Sequence, residues 1–182
     1  KFLHKKILLN TARSICFLFF KFKYIYKLSK IKNKQKIYIF DLDNTLANTW
    51  ISYNMNYRND KERLSSLAVF LGMKKLIEKT YLEGHYVVVL TAREYWHYFI
   101  TKKWLFENNI SYNNLTLVSH PSQKLELLKK LKIDYIYFDD LTYNHENGEL
   151  KFYTKIIHKI SIMKNVKYYG YEEINKINGV EA

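Results

Sequence analysis

The sequence predicts an α/β fold, a Rossmann-like three-layer sandwich with a central parallel sheet of about five strands. Three observations lead there. From Ile37 onward, short apolar runs alternate with stretches of helical periodicity, the pattern of a parallel sheet covered on both faces. Runs such as Val87-Val88-Val89 suit strands buried on both sides. Three of the runs end in reactive groups, where open α/β sheets place their sites.

Taken in order, residues 1–36 stand apart. The chain of 182 residues carries a net charge of +13, yet residues 1–36 alone hold eleven basic residues and no acidic one. Residues 37–182 hold 19 basic and 17 acidic residues, so a nearly neutral domain carries a strongly basic arm. The division is therefore an apolar-rich arm and linker at 1–36 and a domain at 37–182. Ile7-Leu8-Leu9 and the run 15–20 are apolar, but no window approaches the roughly 20 apolar residues of a bilayer span. Lys21-Phe22-Lys23-Tyr24 stands where a signal-peptide cleavage site needs small residues. Residues 29–36 read as a polar linker.

Within the domain, 37–40 is a β-rich run stopped by Asp41, and 62–82 has helical periodicity up to Gly84. A buried strand follows at 85–90, a helix at 94–108 and a short strand at 115–118. Residues 122–132 read as a helix with Ser122 as its N-cap, and 135–138 as the fourth strand. Asn147-Gly148 is a two-residue turn signal that suggests a small hairpin. A fifth strand at 166–169 precedes a terminal helix from about Glu172. With 48% hydrophobic residues the chain has enough apolar side chains for a core, which excludes wholesale disorder. One Pro and five Gly exclude a collagen-like chain, and the single Cys16 excludes a disulfide scaffold. No Cys/His cluster suggests zinc.

Chemistry concentrates at the strand ends. Asp41-Leu42-Asp43-Asn44-Thr45 sets two carboxylates just past a buried strand; both face one site only if the chain turns there, and their repulsion calls for a cation. Thr91-Ala92-Arg93 offers a hydroxyl, backbone N–H groups and a guanidinium at a helix start, a suitable phosphate cradle. Asp139-Asp140 is a second acidic pair, and hard oxygen ligands on separate strands suit Mg²⁺. Lys124 opens a helix, where a cation works against the macrodipole and so needs another reason to be present. Each also has a plain structural reading, as a turn, a cap or a solvated charge.

In this order these stations resemble the haloacid dehalogenase-like phosphohydrolase superfamily, over about residues 36–170. A weaker likeness, in Thr101, Trp104-Leu105, Asn109-Ile110 and Tyr112, is to polynucleotide 3′-phosphatase domains and nucleotidases. The resemblance implies Mg²⁺-dependent phosphomonoester hydrolysis through an aspartyl-phosphate. It implies that Asp41 is the nucleophile, Asp43 the acid and base, and Lys124 the group that neutralises phosphate charge. Thr45, Thr91, Ala92 and Arg93 would then bind substrate. Asp41, the Asp43 carbonyl and Asp139 or Asp140 would hold the metal, with Asn144 supporting them. Intact Asp43 is what the resemblance associates with phosphatases.

Residues 47–61, with Trp50, Tyr53, Tyr57 and Arg58, are too short for a full cap and read as a small flap. An open site admits a phosphate on something large; the weaker likeness points to a nucleotide or nucleic-acid end, with other phosphorylated metabolites, such as sugars and lipid-linked precursors, as alternatives. A non-catalytic binding or scaffold module attached to a membrane or partner is the alternative. The arm, with lysines flanking an aromatic-rich segment, fits a helix lying on an anionic membrane surface. Packing on a partner or on the domain, and nucleic-acid binding, are its other readings. A cytoplasmic location, peripheral at the membrane, follows as an expectation.

Overall fold

The computed structural model describes residues 2–31 and 35–180, excluding the side chains of residues 2 and 3. Lys1 of the arm and residues 32–34 of the expected linker lie outside the described residues. Helix α1 (Phe2–Leu28) precedes strand β1 (Ile37–Phe40). Then come β2 (Ala47–Asn48), a 3-10 turn at Ile51–Asn54, α2 (Asp60–Ser65), β3 (Ala68–Val69), α3 (Leu71–Leu82) and β4 (Tyr86–Thr91). A 3-10 turn at Tyr95–His97 leads into α4 (Tyr98–Glu107), β5 (Asn114–Leu117), α5 (Pro121–Leu128) and β6 (Tyr135–Phe138). Last are β7 (Thr142–Tyr143), a 3-10 turn at His145–Asn147, β8 (Lys151–Phe152), α6 (Thr154–Ser161), β9 (Val166–Tyr169) and α7 (Tyr171–Asn178).

Five strands form one sheet in the order β5-β4-β1-β6-β9, every pairing parallel. The chain winds outward from β1 to β5, then returns to the other side of β1 for β6 and β9. That reversal opens a crevice at the carboxyl end of β1, where α/β sheets bind ligands. All six residues of β4 are buried, as its run of valines predicts. One face of the sheet packs with Met73 and Ile77 of α3, Trp104 and Leu105 of α4 and Ile174 of α7. The other packs with Leu125, Leu127 and Leu128 of α5 and Ile160 of α6. The Rossmann-like three-layer fold is the one the sequence predicts.

Three local expectations need correction. The helix expected over 62–82 is divided, because Ala68-Val69 pairs antiparallel with Ala47-Asn48 instead. The Leu67 carbonyl at the break accepts from the Trp104 indole N–H at 2.9 Å, and the Phe70 N–H donates to the Leu46 carbonyl at 2.8 Å. Helix α5 is capped by His120, whose side chain accepts from the Ser122 N–H, with Pro121 in its first turn. The hairpin is present as β7 and β8, but its connection contains the 3-10 turn at His145–Asn147 rather than two residues. Gly148 takes the left-handed conformation that ends that turn.

The arm is helical, and its later turns are seated on the domain. Phe20 and Tyr24 are buried, with Cys16, Phe17, Leu28 and Ile31 packed around them. The Arg13 guanidinium pairs with Glu94, and Lys21 Nζ lies 2.6 Å from Glu126. Helix α1 packs beside β5, the edge strand of the sheet, and so covers an edge that would otherwise invite pairing with another chain.

Candidate active site

The turn that the two aspartates require is present. β1 continues through the Asp41 N–H, which donates to the Phe138 carbonyl at 2.8 Å. The chain then folds back: the Leu42 carbonyl accepts from Leu46 and Ala47, and Asn44 sits in the left-handed region at φ 56°. Asn tolerates that conformation because its short polar side chain bonds locally, here accepting from the Trp50 N–H at 2.9 Å. Asp41 and Asp43 thereby line one cavity of about 390 Å³. Ala92, Lys124, Asp139, Asp140, Tyr53, Tyr143, His145 and Tyr153 line it as well. A larger hollow, about 790 Å³, lies at the opposite ends of the strands and holds none of these acidic groups.

Lys124 answers the question its position raises. Its ammonium is buried, 2.7 Å from Asp41 Oδ1 and 2.8 Å from Asp139 Oδ2. Burial works to discharge it, and the Asp139 and Asp41 carboxylates more than reverse that, raising its pKa above the ordinary lysine range. The Asp41 pKa is raised as well, by burial and by the charge on Asp139, up to about 7, which for a carboxyl favours the neutral form. Burial together with Asp139 and Asp41 raises Asp140 well above the usual carboxylate range. Asp139 is steadied by the Tyr137 hydroxyl and by the Leu141 N–H at 3.0 Å.

Asp43 lies in a different field. Arg93 grips it with two bonds, Nε to Oδ2 at 2.8 Å and Nη2 to Oδ1 at 2.6 Å, and Thr49 Oγ1 donates to Oδ1 at 2.6 Å. Burial alone raises the Asp43 pKa, but the guanidinium and these bonds win and hold it at about 2. A third Arg93 bond runs to Thr101 Oγ1 at 3.2 Å. The guanidinium is thus spent on a carboxylate here, not held open as a cradle.

The other expected substrate groups are placed variously. Thr91 is fully buried and does not line the cavity, its hydroxyl 3.5 Å from Asp43 Oδ2. Thr45 is fully buried, lines neither the main cavity nor the smaller adjoining one, and its hydroxyl has no hydrogen-bond partner. Asn144 turns its side chain to Glu149 and Asn147. The hydroxyl of Thr142, missed in the sequence, donates to Asp140 instead and sits 2.8 Å from His145 Nε2. His145 in turn reaches Asn44 at 3.1 Å and packs on Trp50 of the flap at 4.4 Å between ring centres. Of the other flap residues, Tyr53 lines the cavity, whereas Arg58 is exposed and pairs with Glu62. Trp104 and Leu105 are core. Thr49, Tyr137 and Thr142 were each within reach of a sequence reading. Tyr137 and Thr142 stand two residues from a carboxylate of the acidic pair, on either side.

Among the described residues, Asp41, Asp139 and Asp140 form a group whose carboxylate oxygens lie within 4.8 Å of one another. Counting Asp43, four buried or half-buried carboxyl groups face two cations, Lys124 and Arg93. An all-oxygen set with that excess of negative charge fits a hard divalent cation.

Fold and site together define a Rossmann-like α/β protein with an acidic centre at the carboxyl ends of β1 and β6. No family model matches the sequence, and no curated protein matches it. Solved structures do. The chain is similar in fold to one in the structure of the Pnkp1/Rnl/Hen1 complex, with a TM-score of 0.53 at 16% identity, over 77% of this chain and 47% of that one. It is likewise similar to one in the structure of the Pnkp1/Rnl/Hen1 RNA repair complex, with a TM-score of 0.54 at 15% identity, over 77% of this chain and 43% of that one. The chain spans less than half the length of either.

Proposed function

We propose that this protein is a phosphomonoester hydrolase of the haloacid dehalogenase-like type, acting on the terminal phosphate of a nucleotide or nucleic-acid end. The observation that carries the reading is the convergence of Asp41, Asp43, Lys124, Asp139 and Asp140 on one cavity from three separate stretches of chain. The residues fit Mg²⁺, which Asp41, Asp139 and Asp140 would hold; when bound it would offset phosphate charge. Asp41 attacks phosphorus, forming the acyl-phosphate bond as the phosphorus–oxygen bond to the alcohol breaks. Asp43 gives its proton to the departing oxygen, then takes one from the water that cleaves the acyl-phosphate. Lys124 holds the Asp41 carboxylate in place and lowers the repulsion that an incoming phosphate meets.

The Arg93 grip sets a condition on this cycle. Clamped, Asp43 is ionised, the form that takes a proton from water. Donating a proton requires Arg93 to loosen, and a substrate phosphate oxygen is an anion able to draw it away. Tyr53, Tyr143 and Tyr153 at the cavity wall offer faces on which a base stacks. Fold neighbours in an RNA repair complex favour a nucleic-acid substrate.

The test compares an aryl phosphate with 3′- and 5′-phosphorylated oligonucleotides, with Mg²⁺ and with EDTA. Turnover requires Mg²⁺, and Asp41→Asn abolishes it while leaving the circular dichroism spectrum unchanged. An Asp41→Asn protein that hydrolyses at the wild-type rate refutes the mechanism. Faster release from free phosphorylated metabolites than from any oligonucleotide refutes the substrate class alone.

A further inference from the structure

Helix α1 has two apolar faces, and the domain uses one. Arg13, Phe17, Phe20, Tyr24, Leu28 and Ile31 recur at three- and four-residue spacing and turn inward. The opposite face repeats the spacing with Leu8, Ile15, Leu18, Phe22 and Ile25, joined by Phe19. This second stripe faces outward: Leu8 is 70% exposed, Phe22 68%, and Ile15 and Phe19 63% each. Lys5, Lys27 and Lys30, near its two ends, are exposed too. So large an unpartnered apolar surface marks an interaction site.

Charge decides among the candidates. Residues 1–36 contain eleven basic residues and no acidic one. Two copies packed stripe to stripe would set lysines against lysines, with no carboxylate on either helix to answer them. A nucleic acid supplies the anions but no apolar bed, and phosphate contacts draw on polar and basic side chains. An anionic bilayer surface supplies both. The helix has the length for it, about 40 Å for 27 residues, and it lies alongside the domain rather than pointing away. Among the described residues no helix is long and apolar enough to cross a membrane, so the contact is along the surface.

We propose that the outward face of α1 seats this chain on an anionic lipid surface. The helix lies in the plane of the headgroups, with Phe19, Phe22 and Leu8 in the acyl boundary and Lys5, Lys27 and Lys30 against lipid phosphates. This surface is independent of the catalytic reading.

The experiment is co-sedimentation of the 182-residue chain with phosphatidylcholine vesicles, with and without about a third phosphatidylserine, at low and at high salt. The chain pellets with the anionic vesicles at least tenfold more tightly than with the neutral ones, and salt of about 0.5 M weakens that binding by about tenfold. Phe19→Asp/Phe22→Asp reduces binding at least tenfold. Both side chains are exposed, so the variant keeps the wild-type circular dichroism and melting temperature. Lys5→Glu/Lys27→Glu/Lys30→Glu, which leaves the stripe untouched, loses the anionic preference and serves if the first variant misfolds. Failure to pellet, equal binding to neutral vesicles, or a wild-type dimer that Phe19→Asp/Phe22→Asp converts to monomer overturns the proposal.

Discussion

Lys124→Met separates the charge of this side chain from its bulk. Methionine keeps most of the stem, so the packing of α5 on the sheet survives, while the ammonium between Asp41 and Asp139 is lost. Its bonds of 2.7 and 2.8 Å are buried, and Asp41, Asp139 and Asp140 are then left together with no cation among them. Breaking a buried ion pair by removing one partner costs about 3–5 kcal/mol. For a chain of this size, a loss of about 3 kcal/mol lowers the melting temperature by roughly 6–12 °C. The deficit also depends on pH. Asp41 is already raised to about 7 with Lys124 present, and losing the ammonium raises it further. Between the ordinary carboxylate value and that raised value the folded state binds more protons than the unfolded one. Stability therefore falls as pH rises, and the deficit is larger at pH 8 than at pH 5. Urea unfolding of both proteins in EDTA at the two pH values measures it. A variant as stable as wild type at pH 8 refutes the assignment of Lys124 as the counter-ion of the cluster.

Arg93→Ala frees Asp43 from the grip that holds it at about 2, so its carboxyl titrates higher and the acid limb of the pH–rate profile moves up; an unmoved limb shows that Asp43 is not the titrating group. In wild type the depressed Asp43 pKa adds stability that is present above the ordinary carboxylate value and lost as pH falls toward 2. The shift amounts to about 2 kcal/mol, so acid unfolding of Arg93→Ala lacks that component. Gly72→Ala places a Cβ 1.9 Å from the Ile177 carbonyl oxygen, a clash with backbone that costs about 1–3 kcal/mol by urea unfolding, because α7 must move. Trp104→Ala costs about 3–5 kcal/mol by the same assay, since it opens a cavity and leaves the Leu67 carbonyl without its donor.

What the sequence made legible was chemistry at strand ends. Asp41, Asp139 and Asp140 were visible because each terminates an apolar run, and Lys124 because it opposes the helix dipole. The charged partner of Asp43 was hidden. Arg93 reads as a phosphate ligand when the carboxylate it grips is fifty residues away in sequence, and only the β1–β4 pairing brings the two side by side. The break at 66–70 was hidden for a similar reason. Leu64, Leu67 and Leu71 keep helical spacing, and the competing strand partner, Ala47-Asn48, is too short to announce itself. The seating of α1 could not be read from periodicity, because a helix apolar on two faces gives no single direction for its core.

That seating has a consequence for the order in which the chain assembles. Helix α1 is synthesised before the segments it pairs with: Arg13 waits for Glu94, 81 residues on, and Lys21 for Glu126, 105 residues on. At about 5–20 residues per second, these two ion pairs wait roughly 5–20 s of synthesis. Until residues 95–98 are made Phe20 lacks its aromatic partners Tyr95 and Tyr98, and the edge of β5 has no cover until α1 docks. A nascent chain stalled before residue 94 therefore presents α1 without Glu94, Tyr95, Tyr98 or β5, which makes translation rate, as much as sequence, a determinant of how long its apolar faces stay bare.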